Sequence, residues 1–522
     1  MAAFILLAAF TSLFKSLQYT AIGSPLVEVD ETSSASYAAA LARWVSPTIT
    51  TRTAHGTSGF PGVWLAQVAL PVQQMIWTAN HPPLYHLLAV PAVWIADWTG
   101  TPGLALFTMR FISAASTALV VLISGHLALE LLPRRPVVAL VSASATAAMT
   151  TIVFQGGFAY NDGFATATGG LALLVLARAA RRGVTAGRVG WITVWCTASA
   201  GTRPTGVVLT AVVVVAVLLI CLVQGRSRGQ AIRFALVVGT VPALLVGWFY
   251  LRNIILFGDA TASNALLQRF GRKPNPRLTT IDGSLIYLRS QWDQLFTQRR
   301  LKPSSSSWVH FIRVVGKVLA AGFAVLVVSS WIRDRRLFSV RSRPIRWWST
   351  AILWATLVAV SVATIVATIA GLAAGVGSHE RYLMPVEPLL TIALGLGVAG
   401  LASWIPWARA RAIAVTIAAA MGAGLFVVFG VLTQRVTVDW FTRFQIARGK
   451  PPLLGLGTAE VFGAVATLAA VLGLLICIAL VVTAVATNPR SSPPGADGRS
   501  RPKAEEAGTA TEDDEAKHNA GA

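Results

Sequence analysis

Charge is scarce in this chain. Only 12% of its 522 residues are Asp, Glu, Lys or Arg, 55% are hydrophobic, and the mean hydropathy is +0.64. A soluble domain carries about a quarter charged residues, and no soluble core of this size could hide so many apolar side chains. Acids are scarcer than bases, 21 against 43, which leaves a formal charge of +22. That excess invites a nucleic-acid reading. The basic residues, however, sit in short clusters between apolar runs, where positive-inside topology needs them, so no nucleic-acid partner is expected. Cysteine is nearly absent. Cys196, Cys221 and Cys477 each lie inside an apolar run, without metal-ligand spacing or an obvious disulfide. No Walker or Rossmann glycine signature sits in a strand–helix setting, and no repeat of 20–50 residues is seen.

Long apolar runs are what the chain does have. Runs of about 20 such residues suffice to cross a bilayer core of roughly 30 Å. Spans are expected near 2–22, 104–131, 137–157, 163–180, 189–203, 205–223, 232–252, 309–332, 348–371, 382–403, 411–432 and 461–486. The expected fold class is therefore an all-α polytopic membrane protein with about twelve transmembrane helices, in a range of 11–13. Met1 to Tyr19 lacks a basic start and a convincing cleavage site, so it reads as a first span rather than a signal peptide. The apolar piece 82–97 is short and Pro-flanked, which suits an interfacial helix. Residues 1–488 form the membrane domain in this reading, with large outward loops at about 23–103 and 253–308. Residues 489–522, rich in Pro, Gly, Ser and Glu, form a disordered cytoplasmic tail.

Orientation follows from the basic loops. Arg134–Arg135, Arg178–Arg188, Arg226–Arg233, Arg333–Arg346 and Arg409–Arg411 fall on alternate connections and so share the cytoplasmic side. Both termini then lie on the cytoplasmic side of a cell (inner) membrane. Seven of the 21 acids belong to the tail. Of the other 14, only Glu130 and Asp334 lie near the cytoplasmic face, which points to chemistry on the outward side.

Six motifs could carry that chemistry. Val27-Glu28-Val29-Asp30-Glu31 follows the first span, and a carboxylate at a membrane edge is costly unless solvated or used. One acid could deprotonate an acceptor hydroxyl while the other orients it. Asn80-His81-Pro82-Pro83-Leu84-Tyr85-His86 places His81 at a helix start, where anions are favoured. Tyr160-Asn161-Asp162 opens a span, a position that helix capping alone would explain. Thr202-Arg203-Pro204 puts an arginine between two spans, functional or snorkelling. Tyr250-Leu251-Arg252-Asn253, running on to Gly258-Asp259, and His379-Glu380-Arg381-Tyr382-Leu383-Met384-Pro385 each set an arginine at an outward membrane edge. There it could meet a phosphate, or serve as an interface anchor.

In order, "VDE", "HPPLYHLL", "ND", "RNIILFGD" and "ERYLMPVEPLL" resemble the membrane glycosyltransferases of the GT-C superfamily over roughly residues 27–390. The likeness is to the protein O-mannosyltransferase and lipid A aminoarabinose transferase branch, including its uncharacterised bacterial relatives. The resemblance implies an outward-facing enzyme that moves a sugar from a polyprenyl-phosphate carrier to a hydroxyl acceptor, inverting the anomeric centre in one displacement. It implies Asp30 as catalytic base with Glu31 beside it. His81 stands where the branch often has a lysine that contacts carrier phosphate, and Arg252 and Arg381 match phosphate-neutralising positions. Tyr85, Asn161, Asp162, Arg203, Asn253, Glu380 and Tyr382 complete the substrate-binding candidates. The implied partners are the polyprenyl-linked donor, a glycan, lipid or protein acceptor, and membrane lipids. No cofactor is required. A divalent metal could sit beside Asp30 and Glu31, but the sequence has no clean ligand set and none is expected. A transporter or flippase for a lipid-linked or anionic substrate stays open as the alternative, as does a scaffold without activity.

Overall fold

A computed structural model describes residues 1–25, 29–52, 75–101, 103–133, 135–297, 345–376, 379–401, 405, 408–447 and 449–486. The expected span at 309–332, the tail from 489 and the side chain of Glu28 lie outside the described residues. The helices are α1 (Ala2–Ile22), α2 (Val29–Ala42), α3 (Leu84–Leu87), α4 (Val90–Thr99), α5 (Leu104–Leu131), α6 (Val138–Ala148), α7 (Thr150–Gly156), α8 (Asp162–Arg182), α9 (Ala186–Ala200), α10 (Pro204–Val223), α11 (Arg228–Phe257), α12 (Ser263–Arg269), α13 (Ile281–Thr297), α14 (Ile345–Ala373), α15 (Glu387–Leu401), α16 (Ala408–Ile446) and α17 (Leu456–Ala486). Short 3₁₀ segments cover Trp77–Asn80, Pro276–Thr279 and Glu380–Val386. Among the described residues no strand forms, only an isolated bridge between Arg52 and Met75.

Local chemistry sets the helix ends. Asp162 lies in the first turn of α8, and Arg181 and Arg182 lie in its last, each sign matched to the helix dipole. Ser227 caps α11 by accepting from the Gln230 N–H, and Gly258 ends that helix in the left-handed region at φ 78°.

The chain is a multi-pass membrane protein. Among the described residues nine helices are long and apolar enough to cross a bilayer, and the bent pair α6–α7, with a 57° break, would make a tenth. The count falls short of twelve at two expected spans. One is 309–332, outside the described residues. The other is α9, only 15 residues and about 22 Å long at 1.5 Å per residue, short for a full crossing. The apolar piece 82–97 resolves into α3 and α4. Their inner face (Tyr85, Ala89, Val90, Val93) packs on Ala35, Ala38 and Ala42 of α2 and on Leu106 and Met109 of α5.

α1 packs between α17 and α5, and α5 in turn on α6 and α8. At one end of this bundle Glu130 of α5 meets Arg178, Arg181 and Arg182 of α8. At the other end α2, the 3₁₀ segment Glu380–Val386, α5 and the starts of α8 and α10 bring Asp30, Glu31, Arg110, Asp162, Arg203 and Arg381 into ion pairs. Between them lies an aromatic floor of Tyr19, Phe154, Phe158 and Phe441. Tyr19 stands edge-on to Phe154 and Phe441, with centroids 5.2 and 6.0 Å apart, and Phe158 lies 4.7 Å from Phe154.

Candidate functional site

The site begins where α1 ends. Arg110 rises from α5 into an apolar interior and all five of its N–H groups find acceptors. Nε and Nη2 donate to the two oxygens of Glu31 at 2.9 and 2.8 Å. The other three reach the carbonyls of Thr20, Gly23 and Ser24 at 3.1, 2.8 and 2.8 Å. Gly23 has no room for a side chain: a Cβ there would stand 2.9 Å from the Phe158 ring and 3.1 Å from Arg110. Glu31 also accepts from the Ala159 N–H at 2.8 Å. This knot ties the end of α1 to the start of α2 and thereby fixes the residue beside it, Asp30.

Asp30 behaves differently. Its side chain stays 24% exposed and reaches Arg381 across 351 residues of chain, in a direct ion pair. Trp77 Nε1 donates to its other oxygen at 3.2 Å. Burial alone would raise the Asp30 pKa. The charge and hydrogen bond of Arg381, helped by His379 and Trp77, win and hold the carboxyl below its ordinary value.

Around this pair stand Asp162 and Arg203, themselves in direct ion contact, with Asp162 also 3.9 Å from Arg381. Tyr160 and Tyr382 form aromatic walls. The Arg381 guanidinium lies 4.8 and 5.7 Å from their ring centres, and Arg203 lies 5.9 Å from Tyr382. Burial, then the charge of Arg381, lower the Arg203 pKa to about 10, so it remains a cation at neutral pH. His81 is held well below its usual pKa, first by burial and then by the positive charge of Arg203, with Arg381 adding to it. It is a neutral imidazole, and its Nδ1 is buried without a hydrogen-bond partner among the described residues.

Asp30, Asp162, Arg203, Arg381 and Tyr382 thus converge, with His81 within electrostatic reach. Asn161 joins from behind, donating to the Thr202 carbonyl at 3.4 Å. Glu31, expected as a second reactive carboxylate, is fully buried with both oxygens committed to Arg110. Tyr85 is buried too, its hydroxyl 3.0 Å from the Met109 carbonyl and 2.8 Å from Ser113. Arg252 stands beside the cluster rather than in it. It donates to Ser46 and to the carbonyls of Pro47 and Ala79 at 3.0, 3.2 and 3.3 Å, and Asn253 accepts from it at 3.2 Å. The Glu380 side chain lies outside the described residues.

Sequence reasoning missed Arg110 and Trp77. Arg110 carried a readable signal, a lone arginine inside a 28-residue apolar run. Trp77 carried none. Among the described residues no group of three or more His, Cys, Asp or Glu could hold a metal ion.

In chemical terms the site offers one partly exposed, ionised carboxylate set against two guanidinium groups. One of these, Arg381, keeps a buried Nε without an acceptor among the described residues. A base and an anion seat lie side by side.

Comparison with known proteins gives no matching family model and no matching curated protein. Solved structures do match in part. ArnT from Cupriavidus metallidurans bound to undecaprenyl phosphate is 14% identical with a TM-score of 0.43, covering 92% of this chain and 77% of that one. The archaeal oligosaccharyltransferase AglB from Archaeoglobus fulgidus, in complex with an inhibitory peptide and a dolichol-phosphate, is 12% identical with a TM-score of 0.41, covering 92% of this chain and 55% of that one. Likeness at this level carries no argument about chemistry, which rests on the residues above. The chain is similar to two membrane glycosyltransferases of the GT-C superfamily, the superfamily its ordered motifs resemble.

Proposed function

We propose that the protein is an inverting glycosyltransferase that moves a sugar from a polyprenyl-phosphate carrier to a hydroxyl acceptor at the non-cytoplasmic face of the membrane. The observation that carries this reading is the juxtaposition of Asp30 with Arg381, with Arg203 alongside. Asp30 takes the proton of the acceptor hydroxyl. The acceptor oxygen forms a bond to the anomeric carbon as the bond from that carbon to the phosphate oxygen breaks. The electron pair leaves with polyprenyl phosphate, a monoester dianion, and Arg381 and Arg203 neutralise the charge that develops.

Arg381 has two partners in this scheme. Without donor it holds Asp30 and makes it a weak base. A phosphate sharing Arg381 loosens that hold and raises the basicity of Asp30 when the acceptor needs it. Neutral His81 serves as a hydrogen-bonding group rather than as a cation. Glu31 positions Asp30, and Arg252 with Asn253 supports the loop above.

The test uses the full chain in liposomes with labelled polyprenyl-phosphate sugars and extracted envelope acceptors. Release of polyprenyl phosphate with label on the acceptor is expected, and its loss in Asp30→Asn at unchanged thermal stability. Movement of intact donor across the bilayer without bond cleavage would instead favour a flippase.

A further inference from the structure

Glu387 lies six residues after Arg381, in the first turn of α15 and inside a candidate membrane span. It is 1% exposed. Its carboxyl touches Thr146 of α6 directly, and Ser124 of α5 stands 3.5 Å from both of its oxygens. Ser142 and Thr391, 3.1 Å apart, close a ring of hydroxyls around it. α6 and α15 carry no other titratable group. On α5 the titratable residues are Arg110, committed to Glu31, then His126 and Glu130, the last held by the α8 arginines. On the preceding 3₁₀ segment Arg381 faces Asp30. Among the described residues no cation pairs with Glu387.

The hydroxyls of the ring can all turn away from the carboxyl. Each hydroxyl owns one proton, and each has a carbonyl to receive it. Ser124 gives to Val120 at 2.9 Å, Thr146 to Ser142 at 2.9 Å, Ser142 to Ser124 at 3.3 Å, and Thr391 to the Glu387 carbonyl at 3.1 Å. The contact between Thr146 and the Glu387 carboxyl needs a proton between its two oxygens. Either the Thr146 hydroxyl or the carboxyl itself can supply it, and the Ser142 carbonyl offers the Thr146 proton a place on its own helix when the carboxyl is the donor. Burial decides between them: an ionised carboxylate at this depth, 1% exposed and without a cation among the described residues, is expensive, and a neutral acid is not.

We propose that Glu387 is a neutral carboxylic acid that donates its proton to Thr146, and that this clamp positions Arg381 opposite Asp30. The clamp closes on the last turn of α6, just before the break at Met149. From the other flank Lys15 of α1 reaches the same break. A Cβ on Gly430 would stand 2.8 Å from Lys15 Nζ and 3.3 Å from Ala148 Cα. Beyond the break Thr151 of α7 donates to the Gln294 carbonyl of α13 at 3.0 Å. The 3₁₀ segment that bears Arg381 therefore starts its following helix from a fixed seat, and Glu387 is a positioning residue.

The positioning half rests on the proposed transfer reaction; the protonation half does not. Infrared difference spectra of the full chain in lipid nanodiscs, wild type minus Glu387→Gln, decide the latter. A protonated-carboxyl C=O band that Glu387→Gln removes is the expected result. A carboxylate band in its place overturns the proposal, whether or not any sugar transfer is detected. Where transfer is measured, Glu387→Gln, which can still donate to Thr146, keeps kcat within about twofold of wild type. Glu387→Leu lowers kcat on the order of a hundredfold with acceptor KM unchanged, as expected when an oriented group is misplaced. A Glu387→Gln variant as inactive as Glu387→Leu would show that the carboxyl titrates in the reaction and would refute the clamp.

Discussion

Arg110 and Glu31 face each other with two parallel hydrogen bonds, both side chains fully buried between the end of α1 and the start of α2. The pair is a hinge pin for the whole site, because Asp30 is the next residue along. Breaking a buried ion pair from one side leaves the other charge stranded, at about 3–5 kcal/mol. Glu31→Ala and Arg110→Leu should each lower the thermal midpoint in detergent markedly. The double variant should lose less than the sum of the two. Strict additivity would mean that the pair is not coupled.

Asp30 is held ionised by Arg381, which sets a pH dependence. A carboxyl whose pKa is lower in the folded chain contributes stability that is complete above its unfolded pKa, about 3.9, and is lost as pH falls through the lowered value. The acidic limb of kcat/KM, which reports free enzyme, should lie below the ordinary carboxylate range. The limb of kcat, measured with the donor's phosphate on Arg381, should lie higher. Coincident limbs would show that the phosphate does not share Arg381.

His81 should contribute no cation. Its pKa is depressed, so the unfolded chain takes up a proton before the folded one does, and stability falls as pH drops below about 6.5. His81→Gln should therefore flatten the fall in thermal midpoint between pH 7 and 5. It should also retain far more transfer activity than His81→Leu. An activity inflection near pH 6.5 that disappears in His81→Gln would contradict a neutral imidazole.

Arg252 braces a loop. Arg252→Ala removes the links to Ser46, Pro47 and Ala79, which should speed hydrogen exchange across residues 45–52 and 77–81. Acceptor KM should rise more than kcat falls. A fall confined to kcat would place Arg252 at the reacting phosphate instead.

Most of the helices could be read from the sequence because lipid demands long apolar runs, and runs such as 104–131 and 205–223 supply them with little interruption. The break at Met149 could not, since Ala148 and Thr150 on either side include neither proline nor glycine, and tertiary packing bends the helix there. Asp30, Arg203 and Arg381 stood out because charge at a membrane edge is costly. Their pairing did not, because 351 residues separate Asp30 from Arg381. The hydroxyl ring around Glu387 was hidden for a different reason. Serine and threonine scattered through apolar helices look like small spacers until three helices bring them onto one carboxyl.

The aromatic floor of Tyr19, Phe154, Phe158 and Phe441 has an electrical consequence. Charge buried in a membrane protein is costly unless its surroundings compensate it. Phe158 lies against the Arg110 guanidinium, 5.2 Å from the ring centre, and Tyr19, Phe154 and Phe441 pack with it in one cluster, so apolar surface backs the Arg110–Glu31 knot on that side. That backing keeps the buried pair in a low-dielectric setting, where the attraction between its two charges is strongest.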